Sequence, residues 1–252
     1  MDTTIAFLIF GAGLVGGAMS AIAGGASFIT FPALLFAGIP PLIANATNFV
    51  GLMPGNVAAL AADHSELRRL LSGLRAPVIT ACLGAGVGSL LLLAGGSDLF
   101  QTLVPWLMLI ATILFAAGPY VRRSLANTHP AGLHSGSPIA LAILFVIAAY
   151  GGYFGAGLGV ILLAALTVFG YDDIHESIIV KNLLISLLSI TSVTIYIIAG
   201  KVDWPAALLM VVGTTLGGFA GGHLAKRTPH GVLRNCIIVF AVVLTAYYFW
   251  KY

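Results

Sequence analysis

A lysine and an asparagine stand side by side, as Lys181 and Asn182, inside a stretch that is otherwise almost wholly apolar as far as Gly200. A helix that starts near Asp172 would place Lys181 roughly 13 Å along its axis, and half of a bilayer's hydrocarbon core is about 15 Å thick. An ionisable side chain close to the membrane midplane is costly and is usually functional. These two residues are therefore predicted to bind a ligand.

A second polar group, Ala44-Asn45-Ala46-Thr47-Asn48, lies one half-chain earlier. Each group follows a glycine-rich break, and the breaks read Gly24-Gly25-Ala26-Ser27 and Gly155-Ala156-Gly157-Leu158-Gly159. A helix that starts after such a break presents unpaired N–H groups and a partial positive charge, which glycine lets an anion approach closely. We expect both polar groups and both breaks to face one site. Its predicted residues are Asn45, Thr47, Asn48, Lys181, Asn182, Gly25, Ala26, Ser27, Gly157 and Gly159.

The ligand that suits these residues is a small oxyanion. Lys181 supplies a full positive charge, and the asparagine and threonine side chains add neutral hydrogen-bond donors. A bare cation fits poorly, because the apolar segments hold no matching cluster of carboxylates. We expect no metal and no cofactor, and we expect Cys82 and Cys236 to pack as small apolar residues.

Structural roles stay open for the same polar residues. Lys181 reaches the membrane interface along its helix if that helix starts later, and it can also serve as the partner of a backbone carbonyl. Asn45, Asn48 and Asn182 are also typical of the hydrogen bonds that join neighbouring membrane helices. The residue types alone therefore leave both a binding role and a packing role for each position.

The composition excludes a soluble fold. Only 8% of the 252 residues are charged and 60% are hydrophobic, whereas soluble domains carry roughly 25% charged residues. The apolar residues form blocks long enough to span a bilayer, and they do not alternate with polar ones as in a β-barrel. The net charge of +3 comes from bases in short loops, where they report topology and not nucleic-acid binding. The sequence predicts an all-α polytopic membrane protein.

The pattern of apolar blocks occurs twice, in residues 1–121 and 139–252, on either side of a linker at 122–138 that is rich in Ser, His, Pro and Gly. Gly25 aligns with Gly157 between the two copies. The chain is therefore predicted to be one membrane domain built from two repeats.

The polar groups correspond in the same alignment. Asn48 aligns with Asn182 after a two-residue insertion, and Thr47 then takes the position of Lys181. The copies differ most at this point, with threonine in one and lysine in the other. This asymmetry is where we expect anion specificity to arise.

The number of crossings follows from the positive charges. Each half holds five segments if both arms of its glycine break cross, and four if the broken hairpin is one span. With ten crossings, one side receives Arg68, Arg69, Arg75, Arg122, Arg123, Lys226, Arg227 and Arg234, and the other side receives Lys201 and Lys251. With eight crossings, the last three bases of the first group change sides. The charge distribution therefore favours ten.

Five segments per half makes the two repeats inverted, with both termini outside the cytoplasm. This plan recurs in secondary transporters, where broken helices meet near the midplane. The arms at 28–37 and 160–169 are only about 15 Å long if helical, so they are predicted as half-helices. Irregular backbone at that depth requires protein or water partners.

Several motifs resemble those of the TauE/SafE sulfite-exporter family, also called the toluene-sulfonate uptake permease family. They are Phe31-Pro32-Ala33-Leu34, Gly38-Ile39-Pro40, Ala44–Asn48, Gly155–Gly159 and Gly217–Arg227. The resemblance covers nearly the whole chain and implies a bacterial inner-membrane permease for sulfite, thiosulfate or organosulfonates. The family's first repeat usually reads Ala-x-Gly-Thr-Ser, where this chain has Ala44–Asn48, and in the second repeat Lys181-Asn182 stands where many members have Thr-Ser.

The sequence thus predicts a secondary transporter of small sulfur-containing anions and not an enzyme. An anion channel is the first alternative. An intramembrane serine hydrolase is the second, with Ser27 as nucleophile and His223 as base, although no Gly-x-Ser-x-Gly context supports it. The glycine-faced helices and the family resemblance make a homodimer a reasonable expectation.

Overall fold

The protein is all-helical in the parts of the chain that the computed structural model describes, which are residues 2–22, 25–62, 70, 73–125, 136–171, 173–224 and 230–251. Its helices are α1 (Thr3–Ile22), α2 (Ser27–Phe36), α3 (Pro41–Ala62), α4 (Arg75–Leu125), α5 (Pro138–Tyr153), α6 (Leu158–Val168), α7 (Ile174–Ile198), α8 (Trp204–Leu224) and α9 (His230–Lys251). The predicted all-α class is confirmed. The bases at Arg68, Arg69, Lys226 and Arg227 and most of the predicted linker lie outside the described residues.

Three of these helices are long and apolar enough to cross a membrane, over Thr3–Ser20, Arg75–Gly118 and Ile174–Ile198. The remaining helices are apolar but have shorter apolar stretches. The long α4 contains two arms, because Gly96 has φ of 71° and ψ of −177° and interrupts the helical geometry. This kink divides α4 into two segments, which a half of five segments requires.

The chain folds back on itself at both glycine-rich breaks. A Cβ added at Gly16, near the end of α1, would lie 2.6 Å from the Cγ2 atom of Thr30 in α2. A Cβ added at Gly151 in α5 would lie 2.9 Å from Leu158 at the start of α6. The returning arms have 10 and 11 residues, about 15 to 17 Å. They are the short arms that the sequence predicts, within two residues at each end.

Helix α3 runs parallel to α8 and antiparallel to α7. The Thr47 hydroxyl accepts from the N–H of Asp203, just before α8. The carbonyl of Gly51, further along α3, accepts from the hydroxyl of Thr214, further along α8. The contacts therefore progress in the same direction along both helices. Towards α7 the order reverses: the ring of Phe49 lies 5.6 Å from that of Tyr196, and Asn56, further along α3, bonds to Ser189, which is earlier in α7.

Two helix pairs approach each other at backbone distance. In α1 and α8, a Cβ added at Gly17 would overlap the carbonyl of Thr214. In α4 and α5, a Cβ added at Gly84 would lie 2.6 Å from the carbonyl oxygen of Phe145, and one added at Gly88 would overlap the backbone of Ala149. Within lipid, helices associate mainly through such close van der Waals packing, which small residues permit.

Candidate functional site

Two asparagines on α3 hold the two glycine-rich breaks. Asn48 donates from Nδ2 to the hydroxyl of Ser27, 3.3 Å away in the first break. Asn45 donates from Nδ2 to the carbonyl of Tyr153, 3.0 Å away at the second break. Residues three apart on a helix lie on the same side, about one turn from each other. Both breaks therefore approach one face of α3, and both asparagines are buried.

The first break is closed by a small hydroxyl and amide network. The hydroxyl of Thr30 lies 3.0 Å from the carbonyl of Ala26 and 2.5 Å from Oδ1 of Asn48. Gly25 has φ of 86°, in the left-handed region that glycine adopts without strain, and the helix starts two residues later. Thr30 was not among the predicted residues, although its spacing of three residues from Ser27 places it on the same face of α2.

Hydroxyl side chains donate to carbonyl groups at the second break, two of them from neighbouring helices and one from α5 itself. The carbonyl of Gly152 accepts from the Tyr196 hydroxyl and, at 3.2 Å, from the Ser89 hydroxyl. The carbonyl of Ala156 accepts from the Tyr150 hydroxyl at 2.7 Å. These bonds provide partners for one carbonyl at the end of α5 and one in the break itself, where irregular backbone within a membrane requires protein partners. The break is thereby held in one conformation.

These three hydroxyl donors were not among the residues predicted from the sequence. A usable signal existed for the tyrosines, because a buried tyrosine in an apolar helix usually finds a hydrogen-bond acceptor. Tyr196 and Ser89 are both fully buried. The identity of their acceptor depends on the packing of three helices, so it could not be read from the sequence.

Lys181 lies beside the second break. Its helix begins at Ile174, with Asp173 as N-cap accepting from the His175 N–H at 2.8 Å. Lys181 is thus about 10 Å along the helix axis, compared with the roughly 13 Å predicted from the sequence. A Cβ added at Gly159 would lie 3.9 Å from the Cδ atom of Lys181. The lysine is half-buried, and its stem runs over the first turn of α6.

The other predicted residues have different contacts or roles. The buried hydroxyl of Thr47 accepts from the N–H of Asp203 at 3.0 Å and so faces the start of α8. Asn182 is half-buried, and its carbonyl accepts from the Ser186 hydroxyl at 2.7 Å. Gly157 has φ of 73° and is the residue before α6. The structure therefore groups Asn45, Asn48, Ala26 and Ser27 around α3, and Lys181 with Gly159.

The polar contact between α3 and α7 continues past the site. Asn56 donates from Nδ2 to the hydroxyl of Ser189 at 3.0 Å, and its carbonyl accepts from Ser186 at 2.9 Å. Asn56 follows Pro54, which lies inside α3 and has no N–H to donate to the preceding turn. This contact fixes the two helices to each other next to the helix irregularity.

Among the described residues, there is no group of three or more His, Cys, Asp or Glu side chains that could hold a metal. The side chain of His223, considered above as a base for Ser27, lies outside the described part of the chain. Ser27 itself accepts a hydrogen bond from Asn48. The arrangement offers amide, hydroxyl and ammonium donors to a small ligand.

The chain is similar to one protein family and to several proteins named as probable membrane transporters. The family model described as "Sulfite exporter TauE/SafE" matches residues 9–248. A "Probable membrane transporter protein" of Haemophilus influenzae is 27% identical over 243 residues, which is 95% of this chain and 92% of that protein. The "Probable membrane transporter protein YfcA" of Escherichia coli K12 is 26% identical over 240 residues, covering 95% and 87%.

A third similar protein, "Probable membrane transporter protein ORF9" of Sinorhizobium sp, is 28% identical over 245 residues, covering 95% of this chain and 90% of its own. No solved structure matches the chain.

Proposed function

We propose that this chain, which belongs to the TauE/SafE sulfite exporter family of membrane transporters, carries small sulfur-containing oxyanions across a bacterial inner membrane. The substrate is bound between the two glycine-rich breaks, with Lys181 as the cation that offsets its charge. Transport is secondary, and the reaction involves no covalent chemistry. Sulfite, thiosulfate and organosulfonates are the candidate substrates, since all present oxygen acceptors on a compact anion.

The observation that carries this proposal is the attachment of both breaks to one face of α3. Asn45 and Asn48 bind one break each, and Lys181 packs over the first turn after the second break. The N-termini of α2 and α6 each carry a partial positive charge, and Lys181 adds a full positive charge beside α6. An oxyanion is the ligand that such a region favours.

The helix directions support an architecture of two inverted halves. In the proposed repeat, α3 and α7 are equivalent helices, and the contacts between them are antiparallel. The close-packed pairs are also reciprocal. The first helix of one half packs on the fourth segment of the other, as α1 with α8 and as α5 with α4. An inverted repeat predicts both features.

The test is sulfite or thiosulfate flux into proteoliposomes that contain the purified protein. We expect Lys181→Ala to lower the flux by about tenfold or more, because a hydrogen bond to a charged group contributes about 1.5–3 kcal/mol. Lys201→Ala is the matched control, since Lys201 is exposed at the α7–α8 turn. Equal flux from wild type and Lys181→Ala would remove Lys181 from the site. Uphill accumulation driven by an ion gradient would distinguish a transporter from a channel.

A further inference from the structure

The amide group of Asn45 has a fixed orientation. Its partner is the backbone carbonyl of Tyr153, which only accepts hydrogen bonds, so the side-chain atom 3.0 Å from it must be the NH2 nitrogen. Turning the amide over would place two acceptors against each other. The oxygen Oδ1 of Asn45 therefore points away from the second break, and its identity as an acceptor does not depend on an arbitrary choice of rotamer.

That oxygen is buried and has no hydrogen-bond donor within the described part of the chain. Asn45 is only 1% exposed. A buried acceptor without a donor is costly, so such atoms are rare in native structures and ask for an explanation. By contrast, both amide atoms of Asn48, one turn away, lie within hydrogen-bonding distance of a partner. Among the described residues, Oδ1 of Asn45 is thus an acceptor without a donor on the face of α3 that holds both breaks.

A fully deprotonated oxyanion cannot satisfy this atom, because it offers only acceptors. An anion that also carries an O–H or N–H group satisfies it, while the remaining oxygens meet the donors of the site. Sites that hydrogen-bond a polar group of the substrate reject analogues that lack the group, because a buried partner is then left unpaired.

We propose that the protein selects sulfur oxyanions that bear a hydrogen-bond donor, and that Asn45 Oδ1 is the specificity-determining acceptor. This inference rests on the transport function proposed above. The substrate class is a monoanion with one donor, such as hydrogen sulfite or a hydroxyl-bearing sulfonate. Asn45 thereby has two roles: its Nδ2 atom donates to the second break, and its Oδ1 atom accepts a hydrogen bond from the substrate.

The test compares 2-hydroxyethanesulfonate with propane-1-sulfonate, which has a methyl group in place of the hydroxyl. Both are monoanions of nearly equal size, so charge does not distinguish them. Calorimetric titration of the purified wild-type protein should give an affinity about fivefold to tenfold higher for the hydroxyl compound, as expected for one buried hydrogen bond. Equal affinities would overturn the inference. This comparison needs no variant.

Asn45→Leu removes the acceptor with little change in side-chain size. We expect the ratio of the two affinities to fall to near one in this variant, and Asn56→Leu on the same helix to keep the wild-type ratio. A preference that persists in folded Asn45→Leu would contradict the role of Oδ1. Sulfite titrated in parallel separates the two proposals. If sulfite binds and the sulfonates are not distinguished, only this inference fails, whereas absence of all anion binding would refute the proposed function as well.

Discussion

A buried threonine in a membrane helix commonly bonds to a carbonyl of its own helix, and Thr30 also reaches a second helix. Its hydroxyl lies within hydrogen-bonding distance of both Ala26 and Asn48. Thr112 provides the comparison, because it is also buried and its hydroxyl bonds to Met108 in its own helix. The difference between these two threonines isolates the contribution of the contact with Asn48.

Thr30→Val should therefore be more harmful than Thr112→Val. The first substitution leaves the buried Oδ1 of Asn48 without its donor, at a cost of about 1–3 kcal/mol. We expect a lower unfolding temperature in detergent and reduced anion flux for Thr30→Val, with little change in either for Thr112→Val. Valine keeps the shape of threonine, so the steric fit against Gly16 is retained in the first variant. Identical behaviour of the two variants would show that the Thr30–Asn48 contact contributes nothing.

At the scale of elements, the glycines of α1, α4, α5 and α8 separate into two kinds. Gly88 faces the backbone of Ala149 and Tyr153, where a side chain has no space, whereas a Cβ added at Gly11 meets nothing within 4 Å. The sequence shows glycines four residues apart, Gly84 and Gly88 in α4 and Gly213 and Gly217 in α8, and this spacing favours close packing of helices. It does not show which helix each pair meets, because that depends on contacts between residues far apart in the chain.

Gly88→Ala should destabilise the protein, and Gly11→Ala should not. Overpacking costs about 1–3 kcal/mol in a well-packed core, and the obstacle at Gly88 is backbone, which cannot turn aside as a side chain does. Alanine at Gly11 instead gains up to about 1 kcal/mol of helix propensity. Thermal unfolding of both purified variants measures the difference. A Gly88→Ala protein with the wild-type unfolding temperature would mean that α4 and α5 can separate without loss.

For the whole molecule, the relative directions of packed helices depend on how many times the chain crosses the membrane. Helix α3 is parallel to α8 and antiparallel to α7, as ten crossings require. With eight crossings these relations reverse, because the second broken hairpin, α5–α6, lies between α3 and α7 and then counts as a single span. The charge count in the sequence and the packing directions in the structure therefore support the same topology for independent reasons.

Cysteine labelling tests this topology in a protein whose Cys82 and Cys236 are replaced by alanine. We expect Asp98→Cys and Lys201→Cys to react with a membrane-impermeant maleimide in intact cells. His175→Cys should react only after permeabilisation. All three positions are exposed in the structure. Labelling of Asp98→Cys and Lys201→Cys from opposite sides would indicate eight crossings and would refute the inverted arrangement.

The sequence by itself determined the helical membrane class, the family and the positions of the half-helices. Each of these depends on local signals: the length of an apolar block, the glycines that break it, and the order of short motifs. The positions of the short helices were predicted to within two residues because glycine adopts positive φ without strain, and Gly25 and Gly157 do so just before these helices begin.

Only the tertiary structure decided how the polar residues are used. Asn45 and Asn48 look equivalent in the sequence. In the structure, Asn48 binds the break of its own half, whereas Asn45 binds the break of the opposite half. Adjacent Thr47 faces α8 instead. A hydrogen bond needs its donor and acceptor within about 3 Å, and for residues more than a hundred positions apart, that distance is set by helix packing. Local sequence does not encode it.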